Sequence, residues 1–149
     1  MKIRVAALTA VFLLAATPVL AAPACPNPSL KHAPATLVTA KGRHTYDLEI
    51  AASPDDQECG LMFRKKMKRS AGMIFPFAPA RPATFWMENT VLPLDLIFVG
   101  VDNRVLTVAT GKPFSRDIID SHGVASAVIE LNAGEARRIG LKPGDRIER

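Results

Sequence analysis

Between Thr45 and Ala51 apolar and polar residues alternate: Tyr46, Leu48 and Ile50 fall on one side, Thr45, Asp47 and Glu49 on the other. A period of two marks a strand with one buried and one wet face. Thr36–Ala40 precedes it across Lys41-Gly42-Arg43-His44, which predicts a hairpin. Ser53-Pro54-Asp55-Asp56 then starts a helix. Ser53 can cap it, Pro54 suits the first helical position, and the two acids favour the positive end of the helix dipole. The helix is expected to reach about Met62, with the cations of Lys65–Arg69 closing it. Ala71–Phe77 reads as a short buried strand stopped by Pro76 and Pro79, and Leu94–Val99 as the most hydrophobic strand. A turn with Asp102-Asn103 at its tip returns into Arg104–Ala109. Thr110–Gly123 is polar and irregular, and Val124–Leu131 is the last long strand. Asn132 is expected to cap a short helix, Ala133–Ile139, before Gly140–Asp145 turns into a closing strand at Arg146–Arg149.

Seven or eight short strands with mostly antiparallel signals and two short helices predict a mostly β, α+β domain. A curled antiparallel sheet or small, partly open β-barrel with the helices packed on it is the expected architecture. The domain should occupy residues 35–149, preceded by an extended, proline-rich arm over 22–34. Residues 1–21 read as a signal peptide. Lys2 and Arg4 lead, Val5–Ala16 is an apolar run, and Val19-Leu20-Ala21 offers small residues for cleavage after Ala21. That run is about a dozen residues where a membrane span needs about 20, so no permanent span is expected after cleavage. The chain is therefore expected to be periplasmic or secreted.

Removing residues 1–21 takes away two cations and no acid, so the formal charge falls from +5 to +3. The remaining excess is local: Arg64, Lys65, Lys66, Lys68 and Arg69 place five cations in six positions. Such a run is either an anion-binding patch or a solvated surface. Nucleic acid is not expected as a partner of an exported chain without a recognition motif. Cys25 and Cys59 are the only two cysteines. An even count in an oxidising compartment invites a disulfide; two unpaired thiols, or Cys59 as a nucleophile, are the other readings. His32, His44 and His122 are far apart, and no metal-ligand spacing, nucleophile elbow or phosphate-cradling loop occurs, so neither metal nor cofactor is expected.

The candidate chemistry concentrates in Phe85–Val99, F-W-M-E-N-T-V-L-P-L-D-L-I-F-V. Two carboxylates, Glu88 and Asp95, sit there in apolar company, where a charge costs several kcal/mol unless it is paired, hydrogen-bonded or open to water. Arg64 is the expected partner of Asp95, through two parallel hydrogen bonds. Alternatively Asp95 accepts backbone hydrogen bonds from the Asn89–Pro93 loop and holds it. Asn89 and Thr90 either orient a ligand or satisfy the turn. Trp86 is either core or a stacking platform for a sugar or other flat ligand. Met62, Met73 and Met87 read as packing residues, with soft-metal ligation the sharper alternative.

Six motifs occur in one order: Gly60-Leu61-Met62-x-Arg64, Gly72-Met73-x-Phe75-x-Phe77, Phe85-Trp86-Met87-x-Asn89-Thr90, Pro93-Leu94-Asp95-x-x-Phe98, Glu130-Leu131-x-Ala133-Gly134 and Gly144-Asp145-x-Ile147. Together they make residues 36–149 resemble the domain-of-unknown-function 192 family, small prokaryotic proteins that are often exported. The resemblance implies a compact, mostly β domain and assigns no catalytic residue. Glu88 stands where such proteins commonly carry Lys, which would reverse the charge preference of any ligand contact there. Gly100 and Asn103 replace an Asp and a Gly of the hairpin after the long strand.

The leading expectation is a non-enzymatic module that binds a small ligand or an envelope component in a cleft lined by Arg64, Trp86, Glu88, Asn89, Thr90 and Asp95. A carboxylate-based hydrolase using Glu88 and Asp95 is the enzymatic alternative, and requires both acids in one groove. A structural or assembly factor of the envelope is the third.

Overall fold

The computed structural model describes Cys25 and residues 29–149; the expected signal peptide and residues 22–24 and 26–28 of the arm lie outside them. Seven strands and two short helices follow in the order β1 (His32–Thr39), β2 (Gly42–Ile50), α1 (Pro54–Cys59), β3 (Ala71–Phe85), β4 (Leu94–Gly100), β5 (Val105–Gly111), β6 (Ile119–Asn132), α2 (Glu135–Ile139) and β7 (Arg146–Glu148). They form one curled sheet in the order β5-β4-β6-β3-β2-β1-β7. All neighbours are antiparallel except β2 and β3, which run parallel across the α1 connection. The two edges meet through an Arg104–Arg146 bridge and backbone bonds from Val105 N–H to Asp145 O (2.9 Å) and Ile147 N–H to Asn103 O (2.8 Å). The expected curled, barrel-like α+β domain is the observed one, with a mixed sheet.

Alternation along each strand divides the core in two. Leu37, Tyr46, Leu48, Ile74, Ile97, Val99, Ile129 and Leu131 fill the inside of the curl, where Ala136 and Ile139 of α2 close it. Met73, Phe75, Phe77, Leu94, Leu96, Phe98 and Val128 face outward, covered by Leu61 and Met87 from the connecting segments. Edge-to-face rings layer this outer core: Phe75 on Phe85 at 5.2 Å and Phe85 on Phe98 at 6.0 Å.

Five elements depart from the sequence pattern. β1 already starts at His32, inside the expected arm, and β6 at Ile119, inside the stretch expected to be irregular, because each has a strand partner there, Glu49 of β2 for His32 and Phe85 of β3 for Ile119. β3 does not stop at Pro76 but runs 15 residues through Pro76, Pro79 and Pro82. β2 pairs with it only as far as Ile74; beyond that β6 is its paired neighbour, with register shifts at the bulges. A proline's missing N–H is tolerated along such an unpaired side. α1 ends at Cys59, because Gly60 turns the chain at φ 46°, and the basic run that follows is not helical. Its start is as expected, a capping box between Ser53 and Asp56. α2 begins after Gly134, in the left-handed region at φ 90°, and Asn132 does not cap it; the Asn132 amide instead donates to the Met67 and Lys68 carbonyls.

Candidate functional site

The segment after β3 owes its shape to what alternates within it. Met87 is buried and its side chain lies over Gly111, where a Cβ would come within 2.4 Å of its Sδ. Trp86, next to it, consequently faces out and is 48 % exposed. Met87 N–H donates to Ser115 O (2.9 Å) and Thr90 N–H to Met87 O (3.0 Å). Asn89, left-handed at φ 58°, offers its carbonyl to Phe63 N–H (2.9 Å), while Thr90 offers its own to Phe114 N–H (3.1 Å). Phe63 and Phe114 are themselves left-handed, at φ 63° and 61°, and their rings are exposed. Backbone of this kind in bulky residues persists only where its surroundings impose it. Gly111→Ala is expected to displace Met87 and cost about 2 kcal/mol through overpacking, and to blue- or red-shift Trp86 emission in the folded state. An unchanged melting temperature and spectrum would show that Met87 does not pin the segment.

Under this segment, between α1 and the outward face of the sheet, lies a cleft of about 500 Å³. Trp86, Glu88, Asn89 and Thr90 line it, as four of the six expected residues. Glu88 pairs with Arg116 at the rim. The other two are placed elsewhere. Asp95 shares the inward face with Ile97 and Val99 and is 2 % exposed. It accepts from Thr110 Oγ1 (2.8 Å) and from the Ala136 N–H at the start of α2 (2.9 Å). The backbone partner is thus α2, not the Asn89–Pro93 loop. Arg64 does not meet Asp95; its Nη1 and Nη2 grip Glu49 of β2, the second at 2.6 Å. The cleft expected to join Trp86, Asn89, Arg64 and Asp95 is therefore three separate places: Trp86 and Asn89 line one cavity, Arg64 a second and Asp95 a third. Glu88 and Asp95 line different cavities on opposite sheet faces and do not share the groove that a hydrolase built on them needs.

The residue that the sequence reading passed over is Glu130. It stands on the outward face of β6, opposite Met73 of β3 and Leu96 of β4, and lines the cleft while only 5 % exposed. Among the described residues nothing hydrogen-bonds its carboxyl, and burial alone pushes its pKa up to about 8. Glu135, equally buried, shows the contrast. It accepts from Tyr46 Oη (3.0 Å), Arg69 Nε (2.9 Å) and Arg138 Nη2 (2.6 Å), and its pKa is held down, first by the Arg138 hydrogen bonds. One glutamate is fully partnered and held toward its charged form, the other has no partner and is pushed toward its neutral form. The signal for Glu130 was the same as for Asp95: one acid inside an apolar run, here Ala127-Val128-Ile129-Glu130-Leu131. Gln57, Glu58, Arg81 and Thr84 complete the polar lining, with the Arg81 guanidinium 4.3 Å above the Phe77 ring.

Cys25 and Cys59 form a disulfide with Cα atoms 5.4 Å apart. No helix among the described residues is long and apolar enough to cross a membrane. No group of three His, Cys, Asp or Glu among them converges as a metal site.

The domain-of-unknown-function 192 model, described as uncharacterized, matches residues 36–149. A crystal structure of a protein of unknown function from Novosphingobium aromaticivorans is 44% identical, with a TM-score of 0.80 over 87% of this chain and 94% of that one. A putative transcription regulator from Sinorhizobium meliloti is 41% identical, with a TM-score of 0.79 over 83% and 97%. No curated protein matches.

Proposed function

Because the chain belongs to the domain-of-unknown-function 192 family, which brings no settled activity, we propose from the cleft itself that this protein is an exported binding module for a small ligand. The ligand lies against Trp86, with its polar end toward Glu130. The observation that carries this is Glu130: a carboxyl without a protein partner, in a concave site with aromatic walls, is costly to the fold and useful to a ligand. The disulfide supports export, since such bonds persist in oxidising compartments. The regulator designation of the Sinorhizobium protein stays with that protein. Here the cleft holds three glutamates against one arginine, and Arg64 and Arg69 of the basic run are tied to Glu49 and Glu135, which leaves little to hold a phosphate backbone.

Trp86 is the only tryptophan, so its emission reports on the cleft directly. In a panel of glycans, metabolites, amines and metal salts, one chemical class is expected to shift both Trp86 emission and the melting temperature. Trp86→Ala should keep the fold and weaken that ligand roughly tenfold. If no compound moves either signal in the wild type, the binding reading fails. Protein recovered from the envelope fraction should begin at Ala22; a full-length chain confined to the cytosol would remove the export reading.

A further inference from the structure

On a chain of formal charge +5, the cleft collects three glutamates, Glu58, Glu88 and Glu130, against one guanidinium, Arg81. Their surroundings rank them. Glu58 of α1 is exposed, Glu88 is matched by Arg116, and Arg81 of β3 rests on the Phe77 ring. Glu130 alone is both buried and unpartnered, and its neighbours across β3 and β4, Met73 and Leu96, carry no charge. The charged groups that line the cleft with it are thus Glu58, Glu88 and Arg81. Phe75, Phe77, Phe85 and Trp86 supply aromatic surface, which attracts cations. Since the acids do not converge as a metal site, their spread along the cleft suits an extended organic cation better than a bare ion.

Resting on the binding reading above, we infer that the ligand carries an alkylammonium group, which supplies the counter-charge Glu130 lacks, between Trp86 and the phenylalanine rings. On binding, the Glu130 carboxylic acid releases its proton to solvent and the resulting carboxylate pairs with the ammonium. The ligand keeps all its own protons and no other bond changes.

The test is titration calorimetry of the disulfide-intact protein at pH 6.5, in two buffers of different ionisation enthalpy. The probes are cadaverine, Nα-acetyl-lysine methylamide, 1,5-pentanediol and di-N-acetylchitobiose. An amine should bind with release of about one proton, and its affinity should rise roughly tenfold per pH unit between pH 6 and 7.5. Cadaverine alone would mark a free amine as the source, and the lysine derivative alone a peptide side chain; either supports the inference. Glu130→Gln should remain folded, weaken the amine at least tenfold and abolish the pH slope. A Glu130→Gln protein that binds the amine with unchanged affinity and slope would overturn the inference. If the diol or the disaccharide binds and neither amine does, the ammonium assignment falls while the cleft remains a binding site. Silence from all four also removes the assignment, and the Trp86 emission panel then decides the binding reading on its own.

Discussion

Glu130→Gln is expected to stabilise the protein at pH 7 by about 3 kcal/mol, and to flatten its stability between pH 4.5 and 8. In the native protein burial raises the pKa of Glu130 from 4.5 to about 8. Between those values the unfolded chain has lost the proton that the folded chain still holds, so stability falls as pH rises. The contribution is fully present below pH 4.5, is lost progressively up to about pH 8, and totals about 5 kcal/mol across the window. Glutamine keeps the shape and has no charge to bury, so its protein should not follow that fall. Urea titrations of both proteins at pH 4.5, 7 and 8.5 measure it. Near pH 4.5 the two should be alike; at pH 7 the variant should unfold later. Parallel pH profiles would mean that Glu130 titrates in the folded protein as it does in the unfolded chain, and that burial does not hold its proton. A substitution that strengthens the fold while removing a ligand is the pattern expected of a functional group kept at the expense of stability.

Glu130 also shows where the sequence stops being legible. Asp95 in Leu94-Asp95-Leu96 and Glu130 in Ile129-Glu130-Leu131 give one local signal, a lone acid among core residues. Their fates diverge because the sheet register sets Asp95 opposite Leu131 and Leu96 opposite Glu130, so the two acids leave by opposite faces. On the inner face Asp95 finds Thr110 and the first turn of α2; on the outer face Glu130 finds only Met73 and Leu96 beside it. Those neighbours come from elements 15 or more positions away, and no short window of sequence contains them. The same holds for Arg64. The wet face of β2 was visible in the alternation of Thr45, Asp47 and Glu49, but its pairing with Glu49 depends on how the segment after α1 folds back over that strand. Local chemistry, by contrast, was legible. The Ser53 cap, the hairpin before β2 and the Asp102-Asn103 turn each rest on residues within a few positions of one another. Trp86 was not settled that way: the sequence left it open between core and stacking platform, and its exposure follows from Met87 turning inward over Gly111. The length of β3 was not legible either, because the tolerance of its prolines depends on β2 ending early.

Removing the disulfide, as the Cys25→Ser, Cys59→Ser double variant, is expected to cost about 2–4 kcal/mol, the upper end following from the loop it closes. The two cysteines are 34 positions apart, so the bond joins the arm ahead of β1 to the last residue of α1. The loss should also be local. α1 has six residues and none of them is buried, and so short a helix does not persist on its own propensity. It is held by the Ser53–Asp56 capping box, by Gln57 Nε2 donating to the Ala51 (3.2 Å) and Pro76 (2.9 Å) carbonyls, and by the Cys59 sulfur. Gln57 and Glu58 form one wall of the cleft, with Gly60 and Leu61 continuing it. Amide exchange should therefore quicken at Gln57 and Gly60, whose N–H groups donate within this turn, well before the paired strands β4 and β6 open. Equal loss of protection throughout the domain would mean that the bond acts on the unfolded chain alone. Equal stability of the variant and the native protein would mean that the arm is not part of the fold. In the expected pattern the wall is loosened, the sheet stays intact and Glu130 stays buried, so under the binding reading an amine should bind the reduced protein more weakly than the disulfide-bonded one.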